Sequence, residues 1–570
     1  MKKPLLSEMT LREKIGQMLL PHQHDIYCRE SGDERDAFCE RTDFSDLKSE
    51  TELAAYLEKE NFGAFLIDET AVFKAMHPDA HDAKSDRLNA ETYRNFIKKQ
   101  SAYGKIPALT AGDFSFYGVG PFFQGMTSVP APLALGAANS LEPAYALGAC
   151  VAKEMRFVGA NWLFGPSVDI CHRFNSNIMN TAVPDDASRL AELTRAYVKG
   201  VQDGGVAVAI KHFPGGDRYD YRDPDVSPTV ISSTMEEWWE EQGMILKEMI
   251  RGGAYSVMVN HAAFPVVDDA VLEGSFCPAS VSKRIVTDLL KGELGFDGVV
   301  VTESIASPAL ITCFASLDEM LIALVNAGND MITGAFPDAG DIIERAVVGG
   351  AIPEARIDDA CERILRMKAK LGLFAETSDP VWDACEITEE TKAVSREIAD
   401  KAVTLVLDSQ KLLPVIASNI KTATIVYFSH SDKILPQMEH MKAEIEKRGV
   451  SVKLQHRVDE PLDMERVDAE SDLILYVVYV APGFPKGHPG IYGAECAGCQ
   501  FTFSQGQKKS IGISMGYPYI HYDLLGNAET FINTYGYTNE LIESCVKVIF
   551  GEMAADGVSP VKLDPDQIWY

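Results

Sequence analysis

Between residues 60 and about 370, seven short apolar runs alternate with helical patterns, and nearly every run ends in a polar or ionisable residue. The runs are 62–68, 107–113, 161–169, 206–211, 256–261, 298–303 and 330–333. Runs this short and apolar, set between helical patterns, predict repeated βα units around a parallel sheet. When such a sheet closes as a TIM-type barrel, the carboxyl ends of all its strands face one side. Asp68, Asp113, Asp169, Lys211 with His212, Asn260 with His261, and Glu303 would then converge on a single pocket.

The richest tip is the stretch 207–225. An apolar segment runs straight into Lys211 and His212, turns at Pro214-Gly215-Gly216, and then sets four aspartates and two arginines within nine residues. Such a strand builds one wall of a site in an α/β enzyme. The plainer alternative is a solvated loop after a core strand.

At 570 residues the chain is too long for one core, so two or three domains are expected. Hydrophobic residues at 46% and charged residues at 24% are ordinary for a chain that folds by burial. The net charge of −30 argues against nucleic acid or an anionic membrane as the main partner and favours a neutral or weakly charged small molecule. The amino terminus lacks the apolar core of an export signal, and no run reaches membrane-spanning length without charges. Eleven scattered cysteines do not suggest a disulfide framework, and a cytoplasmic location is expected. Cys496 and Cys499 form the closest pair, but without further ligands they predict no metal.

The segment 10–20 reads as a helix with Thr10 as N-cap and Glu13 at the capping-box spacing. Residues 21–50, holding His22, His24 and Asp25, read as a surface loop. An amphipathic helix at 352–374 closes the first domain. Beyond it, 401–407, 422–428, 473–479 and 530–535 read as buried strands, with a helix at 437–448. The expected architecture is a (β/α)8-like barrel over 1–375, a linker at 376–398, and a smaller α/β layered sandwich over 399–570.

With these residues in hand, the chain resembles glycoside hydrolase family 3. The stretches that carry the likeness are 10–17, 130–136, 154–162, Lys211-His212-Phe213-Pro214-Gly215, 257–261, 278–282, 294–301, 326–331 and the helix at 352–374. Within the family it looks most like the two-domain bacterial β-N-acetylhexosaminidases, on 531–537 and 548–553. The resemblance implies retaining hydrolysis of a small-molecule glycoside, in which one carboxylate attacks the anomeric carbon and a second group protonates the leaving oxygen, with no cofactor. A homodimer is compatible with it.

Two positions depart from the family pattern. Its nucleophile is an aspartate after Gly-Phe-Asp-Gly-Val-Val-Val, where this chain has Thr302-Glu303. The extra methylene advances the carboxylate by about 1.5 Å. The histidine that shuttles the proton in the resembled enzymes is replaced by Asp225 in Asp223-Pro224-Asp225, with Glu495 as a fallback acid. A carboxyl can do that work if burial or a negative neighbour raises its pKa.

Sugar-binding positions carried over from the family are Asp113, Lys211, His212, Met258 and His261, with Asn180 standing where an arginine is usual. Arg218 and Arg222 are candidates for an anionic substituent, or for salt bridges within their own loop. The aromatic run from Phe114 to Phe123 either stacks on a sugar or packs as core. Three readings follow: a β-glycosidase using Glu303 and Asp225, a sugar-binding protein without turnover, and a barrel that performs transfer, phosphorolysis or elimination.

Overall fold

The computed structural model describes residues 3–22, 26, 48–67, 81–82, 87–173, 175, 177–375, 383–429, 434–457, 461–480, 490–491, 509–523 and 529–563. Helix α1 (Leu11–Gln17) begins at Thr10, whose hydroxyl accepts the Glu13 amide at 3.2 Å while the Glu13 carboxylate accepts the Thr10 amide at 2.9 Å. This reciprocal pair satisfies two of the amide donors that a helix start leaves open.

The helix stops short of the expected residue 20. Leu19–Leu20 instead form strand β1, parallel to β8 (Ile332–Thr333). Two leucines that continue a helical period look helical in sequence; a partner more than three hundred residues away makes them a strand.

Six further strands follow the expected runs: β2 (Ala64–Ile67), β3 (Leu109–Gly112), β4 (Trp162–Ser167), β5 (Ala207–Phe213), β6 (Ser256–Val259) and β7 (Val299–Thr302). They form one six-stranded parallel sheet in the order β7-β6-β5-β4-β3-β2. A parallel bridge between Val301 and Met331 attaches β8 to β7. On the other edge the Gly63 amide donates to the Gly16 carbonyl at 2.8 Å, attaching the start of β2 to the chain that enters β1. The parallel ring is thereby closed as a TIM-type barrel. Its strands are buried on both faces, which explains the continuous apolar runs.

One polar chain runs through that core. The Trp162 indole donates to Ser256 Oγ at 2.8 Å, and Ser256 Oγ donates to the Val208 carbonyl at 2.6 Å. It ties β4, β5 and β6 together where an unmade hydrogen bond would cost about 1–3 kcal/mol. Helix α2 (Glu354–Lys370) buries Ile357, Ile364 and Leu365 and is the amphipathic closing helix expected from sequence.

Helix α3 (Ala384–Ala402) occupies most of the stretch that reads as a linker, since beyond residue 383 that segment contains neither glycine nor proline. The second sheet comprises β9 (Thr404–Asp408), β10 (Thr422–Ser429), β11 (Ser451–His456), β12 (Leu473–Tyr479), β13 (Ser510–Ser514) and β14 (Thr530–Asn533), ordered β9-β14-β13-β12-β10-β11. β9 runs antiparallel to β14 and the other pairs are parallel. Helices α4 (Leu435–Glu446) and α5 (Asn539–Ile549) bury Met438, Met441, Ile542 and Cys545 in one core with Ile425, Leu475 and Ile513 of the sheet.

The chain divides into two compact units. The first holds residues 1–127, 145–169 and 194–390; the second holds 128–144, 170–193 and 391–570. The second unit is stitched across its own segments by Arg189 Nη2 to the Gly136 carbonyl at 2.9 Å, the Val558 amide to the Ala137 carbonyl at 3.0 Å, and the Lys562 amide to Asp185 at 2.6 Å.

Candidate active site

In the barrel unit the strand ends carry the ionisable groups, as parallel βα geometry requires. β5 ends in Lys211, His212 and Phe213, all buried. Lys211 Nζ donates to Asp113 Oδ2 at 2.6 Å, just beyond β3. Ser115 Oγ donates to the other oxygen, Oδ1, at 2.7 Å. Although 56% of the Asp113 side chain is open to solvent, the surrounding protein raises its pKa; Lys211 and then Ser115 override that and hold the carboxyl below its usual value. The result is an accessible, ionised carboxylate of fixed orientation.

Gly165 makes that arrangement fit. Its φ is +143°, and a Cβ there would lie 2.5 Å from the Ser115 Cβ. The bare backbone of β4 lets Ser115 sit close enough to reach Asp113.

His212 is held from both sides. Its Nδ1 lies 2.6 Å from Asp169 Oδ2, and its backbone amide donates to Asp169 Oδ1 at 3.1 Å. Its Nε2 lies 3.3 Å from Glu303 Oε2. Ionised carboxylates only accept, so a ring that faces one with each nitrogen keeps both protons. Burial acts against the charge, but Asp169 first and Glu303 second override it, and the His212 pKa is pushed up to about 9. Asp169 is itself buried; His212 outweighs that burial and keeps the carboxyl below its usual value.

Glu303 follows β7, with its backbone amide donating to the Val259 carbonyl at 2.8 Å and a fifth of its side chain exposed. Next to it, the Ser304 carbonyl lies 3.0 Å from His261 Nε2, while His261 Nδ1 lies 2.8 Å from Ser280 Oγ. A carbonyl only accepts, so Nε2 carries the proton. Burial, foremost, lowers the His261 pKa; the Ser304 carbonyl and the charges of Glu303 and Asp225 pull the other way. A neutral ring follows, taking a hydrogen bond from Ser280 at Nδ1.

Asp225 reaches the same neighbourhood through its backbone. Its carbonyl accepts from Ser307 Oγ and from the Ala309 amide, the latter at 3.4 Å, so the loop after β5 is fastened to the loop after β7. Asp223 is buried and accepts the Asp225 amide at 3.1 Å, which shapes the turn. Asp217 braces the same loop by accepting the Tyr219 and Ser232 amides, both at 2.9 Å. Asn260 Nδ2 donates to the Gly215 carbonyl at 2.7 Å and secures the Pro-Gly turn.

The remaining candidates divide. Met258 is buried within β6, in register with Val301. Arg218 is paired with Glu241, and Arg222 with both oxygens of Asp220, so the chain's own carboxylates hold both guanidinium groups. Phe114 and Phe123 are buried core, packed edge to face with each other and with Phe122 and Tyr93, while Phe122 keeps 37% exposure. Asn180 belongs to the second unit, where its amide donates to Asn177 at 3.3 Å. Asp68, His24, Asp25, Glu495, Cys496 and Cys499 lie outside the described residues.

Sequence reasoning placed Asp169 at a strand end facing the pocket but gave it no role; its pairing with His212 is what the structure adds. It also read His22 as part of a surface loop. His22 lies two residues past β1, and its Nε2 and Ser304 Oγ each come within 3.0 Å of where a Gly334 Cβ would be. Gly334 has φ +75°, and the missing side chain leaves room for both.

A closed parallel barrel whose strand tips gather ionisable side chains on one side has the layout of the TIM-barrel class, in which the functional site lies at that end. Residues 10–367 match the model of the glycosyl hydrolase family 3 N terminal domain, and the chain belongs to that family. It is 28% identical, over 475 residues, to a beta-N-acetylglucosaminidase/beta-glucosidase of Cellulomonas fimi, covering 80% of this chain and 84% of that one. Among solved structures it superposes on a family 3 beta-N-acetylglucosaminidase from Paenibacillus sp. str. FPU-7 with a TM-score of 0.78 at 23% identity, covering 97% of this chain and 99% of that one. It superposes equally, at 24% identity, on the beta-glucoside phosphorylase BglX, covering 98% and 94%. At these identities the two structural likenesses speak for the fold.

Proposed function

We propose that the protein is an exo-acting, retaining β-glycosidase for small β-glycosides or amino-sugar glycosides, with Glu303 as nucleophile and Asp225 as acid and base. The observation that carries this is the Asp169–His212–Glu303 line. A charged imidazole held by a buried carboxylate fixes the Glu303 side chain at a strand tip, and a positioned carboxylate is what attack on an anomeric carbon needs. The fastening of the Asp225 backbone to Ser307 supports the second role, since it draws the two carboxyl-bearing loops together.

In this reading Asp113 and Lys211 bind the hydroxyls of the terminal sugar. Glu303 attacks the anomeric carbon as the bond to the leaving oxygen breaks, and that oxygen takes the Asp225 proton. Water then attacks the glycosyl-enzyme, giving its proton to Asp225 and freeing Glu303. The Cellulomonas fimi relative, described as acting on both kinds of glycoside, supports the substrate class.

The test is intact-protein mass spectrometry after incubation with 2-fluoro-glycosides and a 5-fluoro N-acetylglucosaminyl probe. One added glycosyl mass is expected on the wild type and none on Glu303→Gln. A wild type that binds these sugars in thermal-shift assays but never forms the adduct would favour sugar binding without turnover.

A further inference from the structure

The second unit carries a group of metal-ligating side chains with no part in glycoside chemistry. His440 and Glu444 lie one turn apart on α4, the spacing that puts two side chains on one helix face. Glu543 projects from α5, and His440 Nε2 lies 3.0 Å from its Oε1. One donor atom from each of the three residues falls within 4.8 Å of the other two. The side chains are half-buried, at 26%, 12% and 25% exposure.

The neighbouring cations shape the group without filling it. Arg396 of α3 holds Glu543 by Oε2 and by the Glu540 carbonyl at 3.2 Å, which leaves Oε1 turned to the histidine. Lys447 pairs with Glu444, but it is 66% exposed on a flexible stem that an incoming cation displaces at little cost.

We propose that His440, Glu444 and Glu543 form a divalent transition-metal site of the zinc class that clamps α4 to α5, with water completing the coordination. One imidazole and two carboxylates match the ligands of zinc or cobalt; calcium asks for six to eight oxygens, and magnesium keeps most of its water. The donors must close to about 2.0–2.2 Å from the ion. On binding, the His440 ring turns a bare nitrogen to the metal and gives up its contact with Glu543.

The test uses the full chain, stripped with a chelator and dialysed, then titrated with zinc chloride, cobalt chloride or magnesium chloride. Calorimetric titration is expected to give one strongly bound zinc per chain, and the unfolding midpoint to rise by several degrees with zinc or cobalt and not with magnesium. Both responses disappear in His440→Ala; should that variant fail to fold, Glu444→Gln makes the same comparison from the helix surface. No shift in the wild type, an equal shift in the variants, or an equal shift with magnesium overturns the proposal.

Discussion

Both nitrogens of the His212 ring face carboxylates, and the charge this locks in governs how the site responds to pH. With its pKa pushed up to about 9, the imidazolium persists through neutrality, so activity should decline as pH rises through about 9. Replacing Asp169 by Asn removes the main support of that charge. In the Asp169→Asn enzyme the alkaline limb of kcat/KM should move down toward the ordinary histidine value of 6.5, with a loss of roughly tenfold or more at pH 8. A pH–rate profile of both proteins checks this, and an unmoved limb would remove His212 from the reaction. Stability carries the same signature. A native pKa above the unfolded value gives stabilisation that is complete below pH 6.5 and is lost as pH rises through about 9. Asp113 and Asp169 are shifted the other way, so their contribution is present above pH 3.8 and is lost as pH falls further. Unfolding midpoints measured across pH should therefore fall at both ends, and the alkaline fall should shrink in Asp169→Asn.

At the level of strands and loops, two devices position the carboxylates. Gly165 gives Ser115 the room to orient Asp113, so Gly165→Ala should cost about 1–3 kcal/mol of stability by overpacking and raise KM as Asp113 loses its brace. Thermal unfolding and steady-state kinetics read the two effects separately. The Ser307 tie to the Asp225 carbonyl should matter only for glycosides whose leaving group needs a proton. Ser307→Ala should slow those substrates about three- to tenfold, the worth of one ordinary hydrogen bond, and leave dinitrophenyl glycosides nearly untouched. An equal loss on both would make the tie merely structural. These devices also mark what sequence can carry. The barrel was legible because buried parallel strands must be short apolar runs and must end at one face. β1 was not, since Leu19 and Leu20 continue a helical period; nor was β11, whose Ser-Val-Lys-Leu-Gln-His alternation is that of a half-exposed edge strand. Within the site, the residue types at the tips were readable. The pairings were not: Asp169 meets His212 across 43 residues and Ser307 meets Asp225 across 82, distances that only the folded barrel closes.

Over the whole molecule the surplus of acid is large, 83 acidic against 53 basic residues. A field of that sign repels anionic substrates, and the repulsion weakens as salt shortens its range to about 8–10 Å. A 6-phosphorylated glycoside should therefore show a KM well above its neutral parent at low ionic strength, with the gap narrowing toward 0.2 M salt. Equal KM values at low salt would mean that Arg218 or Arg222 leaves its carboxylate partner for the substrate. Because the second unit takes residues 128–144 and 170–193 from inside the barrel sequence, its border in space is not a border in the gene. A single crossover near residue 390 between two such genes would give the hybrid an Arg189, Gly136 and Asp185 from one parent and a sheet from the other. Any crossover between residues 128 and 390 divides the unit between two parents, so its three stretches stay matched only when they are inherited together.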